Sequence, residues 1–271
     1  MNKFLRILFL SFFAVFLLIG SAYALPFNTR PLSDPPATLF PPHSEQTLGG
    51  TGGIFDTIGA STYAADPEST QSSAAIFTNE ASGTTVASFI IAIAGNAGNN
   101  EMGIYKYGDT STRVPIFSGA LSSEVPTTAA ISFLADGSVV VSGILDSYGN
   151  VISGPTADFG NVFGFYLEGN GGLFFSEDDQ NPNDDPQALI YQGNDSDSLT
   201  VPGLTGGSFT SHHWLIAFED LPYLSADRDF NDMVFIVESI KPVPEPATML
   251  LLGSGLLGLA AAGRRKFFRK K

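Results

Sequence analysis

Between Thr84 and Val237 the chain is broken into short apolar runs bounded by turn residues, a punctuation that favours β-strands over helices. The runs are Thr84–Ala94, Gly103–Tyr107, Thr128–Leu134, Ser138–Leu145, Val162–Leu167, Leu173–Phe175, Ala188–Tyr191, Trp214–Phe218 and Met233–Val237. None carries a helical period, and abundant Gly with β-branched and aromatic residues suits strands and turns. Asp136-Gly137 sits between two runs as a hairpin turn. Ser88-Phe89-Ile90-Ile91-Ala92-Ile93-Ala94 is apolar on both faces, which places it centrally in a sheet. Many short strands of this kind imply an all-β, antiparallel β-sandwich over 48–240, and a jelly-roll is one topology that would connect them.

The two ends follow other rules. Met1 to Ala24 has a short positive region (Lys3, Arg6), an apolar run from Ile7 to Ile19, and small residues at Ala22 and Ala24. This is the layout of a signal peptide over 1–24, cut by signal peptidase before Leu25. An uncleaved anchor is the alternative, but the run is short for a span of roughly 20 residues. Residues 25–47 form a Pro-rich, extended lead-in, with Pro35-Pro36 and Pro41-Pro42. At the far end, Pro244-Glu245-Pro246 precedes an apolar stretch from Ala247 to Gly263 and a basic end that begins Arg264-Arg265. As a helix the stretch would reach roughly 25 Å, enough for a thin bilayer. The basic cluster would stay in the cytoplasm and leave the preceding chain outside. An ordinary C-terminal membrane anchor is the simpler alternative.

That tail, 241–271, resembles the PEP-CTERM sorting signal of Gram-negative bacteria, because tripeptide, apolar helix and Arg-rich end occur in order. The resemblance implies recognition by a membrane-embedded exosortase and removal of the tail. Release or attachment at the cell surface would follow, in a system associated with exopolysaccharide. The implied location is membrane-anchored before processing, and cell surface or extracellular matrix afterwards.

Charge and composition narrow the function classes. All 27 acidic residues lie within 25–246. The basic residues there are Arg30, Lys106, Arg113, Arg228 and Lys241, and five against 27 leaves a formal charge of −22. Such a polyanion does not suit nucleic acid, whose phosphates need Lys and Arg; it suits solubility and cation binding. With no cysteine, disulfides, thiolate metal sites and thiol nucleophiles are excluded. A domain of this size builds a core without disulfides.

The acidic residues cluster most informatively around Trp214–Leu221 and Asp227–Asp232. Glu219 and Asp220 close one apolar run, and Asp227, Asp229, Asn231 and Asp232 precede the next. Alternating Asp227, Asp229 and Asn231 direct their oxygens to one side. Carboxylates within about 5 Å repel one another by roughly 1 kcal/mol per pair, and a hard cation with six to eight oxygen ligands relieves this. Ca²⁺ fits such a site. The other readings are a turn held by Asp and Asn side chains on local backbone N–H groups, or a plain solvated loop. An EF-hand is excluded. Its sixth position would be Asp232 where Gly is needed, although Glu238 falls at the twelfth, and strands rather than helices flank it. A second stretch with Asp178, Asp179, Asp184 and Asp185, followed by Asp195 and Asp197, is either a second cation site or, more simply, a solvated loop. His212-His213 would point to opposite faces of a strand and so suit one metal poorly, one partly buried and the other exposed.

Phe218-Glu219-Asp220-Leu221 followed by Asp227-Arg228-Asp229-Phe230-Asn231-Asp232-Met233-Val234 is similar to the signature of DUF4114 domains. Asn100–Tyr105 and Phe163–Leu167 agree with it, and the resemblance covers about 87–239. Pro222-Tyr223-Leu224-Ser225-Ala226 stands where family members often have glycines. The resemblance implies an all-β extracellular domain with a presumed cation-binding acidic loop, and it implies no enzymatic activity. Nor does the sequence contain a G-x-S-x-G elbow, an H-E-x-x-H motif or a P-loop. The expectation is a non-enzymatic surface or matrix protein of the biofilm, stabilised by Ca²⁺. A Ca²⁺-dependent carbohydrate-binding module using Trp214 or tyrosines is the alternative, and a glycoside hydrolase built on paired carboxylates a weaker one.

Overall fold

The computed structural model describes residues 72, 74–80, 84–91, 99–118, 128–143, 151–199, 207–226 and 230–243. The expected signal peptide with Ala22 and Ala24, the expected Pro-rich lead-in, Asp227, Asp229, Pro244, Glu245, Pro246, Arg264 and Arg265 lie outside the described residues. Among the described residues no helix is long and apolar enough to cross a membrane.

The described strands are β1 (Ile76–Asn79), β2 (Thr84–Ile91), β3 (Glu101–Lys106), β4 (Asp109–Ser118), β5 (Thr128–Phe133), β6 (Val139–Gly143), β7 (Val151–Thr156), β8 (Val162–Gly169), β9 (Gly172–Phe175), β10 (Ala188–Gln192), β11 (Ser198–Leu199), β12 (Gly207–Ser208), β13 (His213–Phe218), β14 (Met233–Glu238) and β15 (Ile240–Pro242). One sheet runs β10-β13-β14-β2-β5-β6-β7; the other runs β15-β1-β8-β3-β4, with β9 also paired to β8. The pairings are antiparallel, and the fold is the expected all-β sandwich. The doubly apolar β2 lies between β14 and β5.

Alternation along the strands builds the core. Trp214, Ile216 and Phe218 of β13 and Met233, Phe235 and Val237 of β14 face Phe77, Ile104, Phe163, Phe165 and Leu167 from the other sheet. Phenylalanines pack at its centre: Phe165 lies against Phe77, Phe163 and Phe235 at ring separations of 5.4–5.6 Å. The β5–β6 hairpin turns at Asp136-Gly137, with Gly137 at φ 83°. There the Asp136 carboxylate accepts from the backbone N–H and hydroxyl of Ser138, which holds it below the usual carboxylate range.

The outer face of the β3–β8 pair carries an interlocked motif. Gly103 is paired with Tyr166 and Tyr105 with Gly164, so each tyrosine ring lies across the glycine opposite. The Tyr105 hydroxyl donates to Glu177 at 2.6 Å, and that of Tyr166 to Glu101 at 2.9 Å. Burial first, and the adjoining carboxylates second, push both phenols up from their ordinary range.

Candidate functional site

The acidic residues around Glu219 and Asp232 sit where the β13–β14 ladder ends. The ladder's last pair is Phe218 with Met233, both fully buried, so the chain leaves and re-enters the sheet at a fixed point. Its next residues are buried too: Glu219 is 1 % exposed, Asp220 3 %, Asn231 1 % and Asp232 8 %. A plain solvated loop does not match this burial.

Side chains from each end cap the backbone of the other. Asp232 Oδ2 accepts from the Asp220 N–H at 2.8 Å, and Glu219 Oε1 accepts from the Phe230 N–H at 2.6 Å. Phe230 is fully buried with φ 55°, a left-handed conformation that costs a bulky residue about 1–3 kcal/mol and persists only where its surroundings impose it.

Both sheets contribute to the enclosure. Asn100, the residue before β3, donates from Nδ2 to Asp220 Oδ2 at 2.8 Å. Gln187, the residue before β10, donates from Nε2 to the Leu221 carbonyl at 2.9 Å, and its own carbonyl accepts from the Glu219 N–H at 3.1 Å. The β8–β9 turn presses Gly171 so close to the Asp220 carbonyl oxygen that a Cβ there would overlap it. The acidic end is therefore a seam joining the β13–β14 ladder to the opposite sheet.

The seam is rich in acceptors. Three carboxylates are buried within it, and burying a charge is costly unless it is paired. Three of the donors to these carboxylates are neutral: two backbone N–H groups and the Asn100 amide. Two buried side-chain oxygens, Asn100 Oδ1 and Gln187 Oε1, accept no hydrogen bond among the described residues. An unsatisfied buried acceptor costs about 1–3 kcal/mol. The donor set is entirely oxygen, the chemistry that Ca²⁺ selects. Among the described residues no group of three or more His, Cys, Asp or Glu side chains converges closely enough to hold a metal ion. Of the acidic residues that the sequence groups here, Glu219, Asp220, Asn231 and Asp232 are brought to one end of the β13–β14 ladder. Asp227 and Asp229 belong to the undescribed segment between them.

The second acidic stretch is built differently. Asp178–Gln180 and Pro182–Asp184 form consecutive 3₁₀ turns, with Asp179 and Asp184 exposed and Asp178 and Asp185 half-buried. Asn181 organises them: its Oδ1 accepts from the Phe175 N–H, while its Nδ2 donates to the carbonyls of Phe175 and Asp185. Asp195 Oδ1 accepts from the Ser211 N–H and hydroxyl, bonds that hold its carboxyl below the usual range. His212 is exposed and His213 half-buried; they bond to different carboxylates, those of Glu80 and Glu238. Trp214 is a core residue, 1 % exposed, with Nε1 donating to the Ile240 carbonyl at 3.1 Å. It offers no platform to a sugar.

Residues 149–239 match the family model of DUF4114, a domain of unknown function, and residues 242–266 match the PEP-CTERM protein-sorting motif. A DUF4114-like stretch is thus followed in the chain by a PEP-CTERM sorting motif. No curated protein and no solved structure matches it. The DUF4114 match runs from β7 through β14 and includes the whole acidic connection. Asn100 and the other β1–β6 residues that complete both sheets precede the matched stretch. The sorting motif marks an exported protein processed by a membrane-embedded exosortase. Sequence reasoning did not single out Asn100, Gln187 or Gly171 as parts of the acidic site. Asn100 lies in the Asn100–Tyr105 segment that pointed to DUF4114, and nothing in its spacing tied it to Asp220.

Proposed function

We propose that the DUF4114 domain is a non-catalytic building block of the cell surface or extracellular matrix, associated with exopolysaccharide in the biofilm and tightened by Ca²⁺ at its acidic seam. The observation that carries this reading is the burial of Glu219, Asp220 and Asp232 beside two unsatisfied amide oxygens. Asp227 and Asp229 would complete the ligand set with Glu219, Asp220, Asn231 and Asp232. The bound ion would neutralise the buried charge and draw the two sheets together at that end.

The same burial speaks against catalysis, because a polysaccharide cannot reach carboxylates that are 1–8 % exposed. Burial of Trp214 likewise favours a structural role over glycan recognition. Extracellular modules bind Ca²⁺ with dissociation constants of about 10⁻⁴–10⁻³ M. At ten times that constant one site adds about 1.4 kcal/mol, or roughly 3–6 °C in Tm for a domain of this size. Thermal denaturation followed by circular dichroism should therefore show such a drop when chelator replaces millimolar Ca²⁺. Asp229→Asn combined with Asp232→Asn should remove the response. A Tm unaffected by chelator would rule the calcium reading out.

A further inference from the structure

We propose that β15 acts as a gate on sorting: the exosortase processes the chain only when this strand has left the sheet. The sorting motif begins at residue 242, inside β15, so the folded sandwich and the processing signal share residues. Phe77, Thr78 and Asn79 of β1 stand opposite Pro242, Lys241 and Ile240. The Val243 N–H continues the ladder by donating to the Ile76 carbonyl at 2.9 Å, and Pro244 of the tripeptide is the next residue. No linker separates the last hydrogen-bonded residue from the motif.

Two further contacts hold the strand. Ile240 is 1 % exposed within the core, and its carbonyl takes the Trp214 indole hydrogen bond. Pro242, which has no N–H to give, occupies an edge strand, where that lack is tolerated. An enzyme acting on a peptide backbone needs that backbone extended and free on both sides. Here the residues just ahead of the tripeptide are paired along one side with β1. Only the fraction of molecules with β15 released is a substrate, so the apparent rate scales with that fraction. The inference depends on the sorting motif and is independent of the calcium reading.

A disulfide lock tests it in the full chain, which has no other cysteine. Thr78 and Lys241 are directly opposite, a separation of about 5.5 Å between Cα atoms that a disulfide spans. Full-length protein with Thr78→Cys and Lys241→Cys would be incubated with exosortase-containing membranes, and loss of the tail followed by intact mass. Oxidation should slow processing at least tenfold, and reductant should restore it. A second variant carries about ten Gly-Ser residues, roughly 17 Å of flexible reach, between Val243 and Pro244. It should be processed several-fold faster than the parent chain. Equal rates for the oxidised and reduced lock, with its thiols shown to be consumed, would overturn the proposal. So would an insertion that leaves the rate unchanged.

Discussion

Replacing Trp214 by Ala should cost about 3–5 kcal/mol of stability, the range for emptying a large aromatic site in a packed core. For a domain of this size that corresponds to roughly 6–20 °C in Tm. Three losses combine. The side chain is 1 % exposed and fills the space between the sheets. Its ring meets Phe77 edge-on at 5.0 Å, a geometry that adds to simple burial. Its Nε1 satisfies the Ile240 carbonyl, which would be left buried without that donor. Trp214→Phe should fall between, recovering much of the volume but not the hydrogen bond. Urea denaturation followed by circular dichroism measures all three proteins, since the variants lack the chain's only tryptophan. A variant that kept parental stability and lost affinity for a glycan would place Trp214 at a surface and contradict the fold.

Gly103→Ala should be the most disruptive single methyl in the outer face. A Cβ at this position would overlap the Val114 carbonyl and the Tyr166 ring, and it would crowd Pro115. Two of these are backbone atoms that cannot swing away. The expected cost is about 1–3 kcal/mol, the range for inserting volume into a packed site. Gly164→Ala meets the Tyr105 ring instead. Tyr105→Ala made together with Gly164→Ala should be less damaging than the two single effects added, because the double variant removes the clash. Chemical denaturation of the four proteins measures that coupling. Strict additivity would show that the ring does not lie over the glycine.

Much of this architecture was legible in the sequence. The apolar runs beginning at Thr84, Gly103, Thr128, Ser138, Val162, Leu173, Ala188, Trp214 and Met233 coincide with β2, β3, β5, β6, β8, β9, β10, β13 and β14. Strands with weak signals were not seen. β4 opens with Asp109-Thr110-Ser111-Thr112-Arg113 and contains Pro115, and β7 contains Gly154-Pro155. Both lie at sheet edges, where polar residues and proline do little harm. β1 and β15 have four and three residues, too few for a period to show.

The acidic site was half legible. Glu219, Asp220 and Asp232 stand next to strong strands, so their place at one end of the β13–β14 ladder followed from the pairing. Their burial did not follow, because acidic runs ordinarily remain in water. The partner that reaches them from the other sheet, Asn100, lies 120 residues from Asp220 and was invisible without the topology.

Equilibrium dialysis of the processed protein against radioactive calcium tests the central claim most directly. The acidic seam should take up Ca²⁺ with a dissociation constant of about 10⁻⁴–10⁻³ M. Asp220→Asn together with Asp232→Asn should abolish the uptake while the β-sheet circular dichroism spectrum persists. Absence of uptake at about 10 mM free Ca²⁺, ten times the upper end of that range, would contradict the account and leave the buried carboxylates as backbone caps alone.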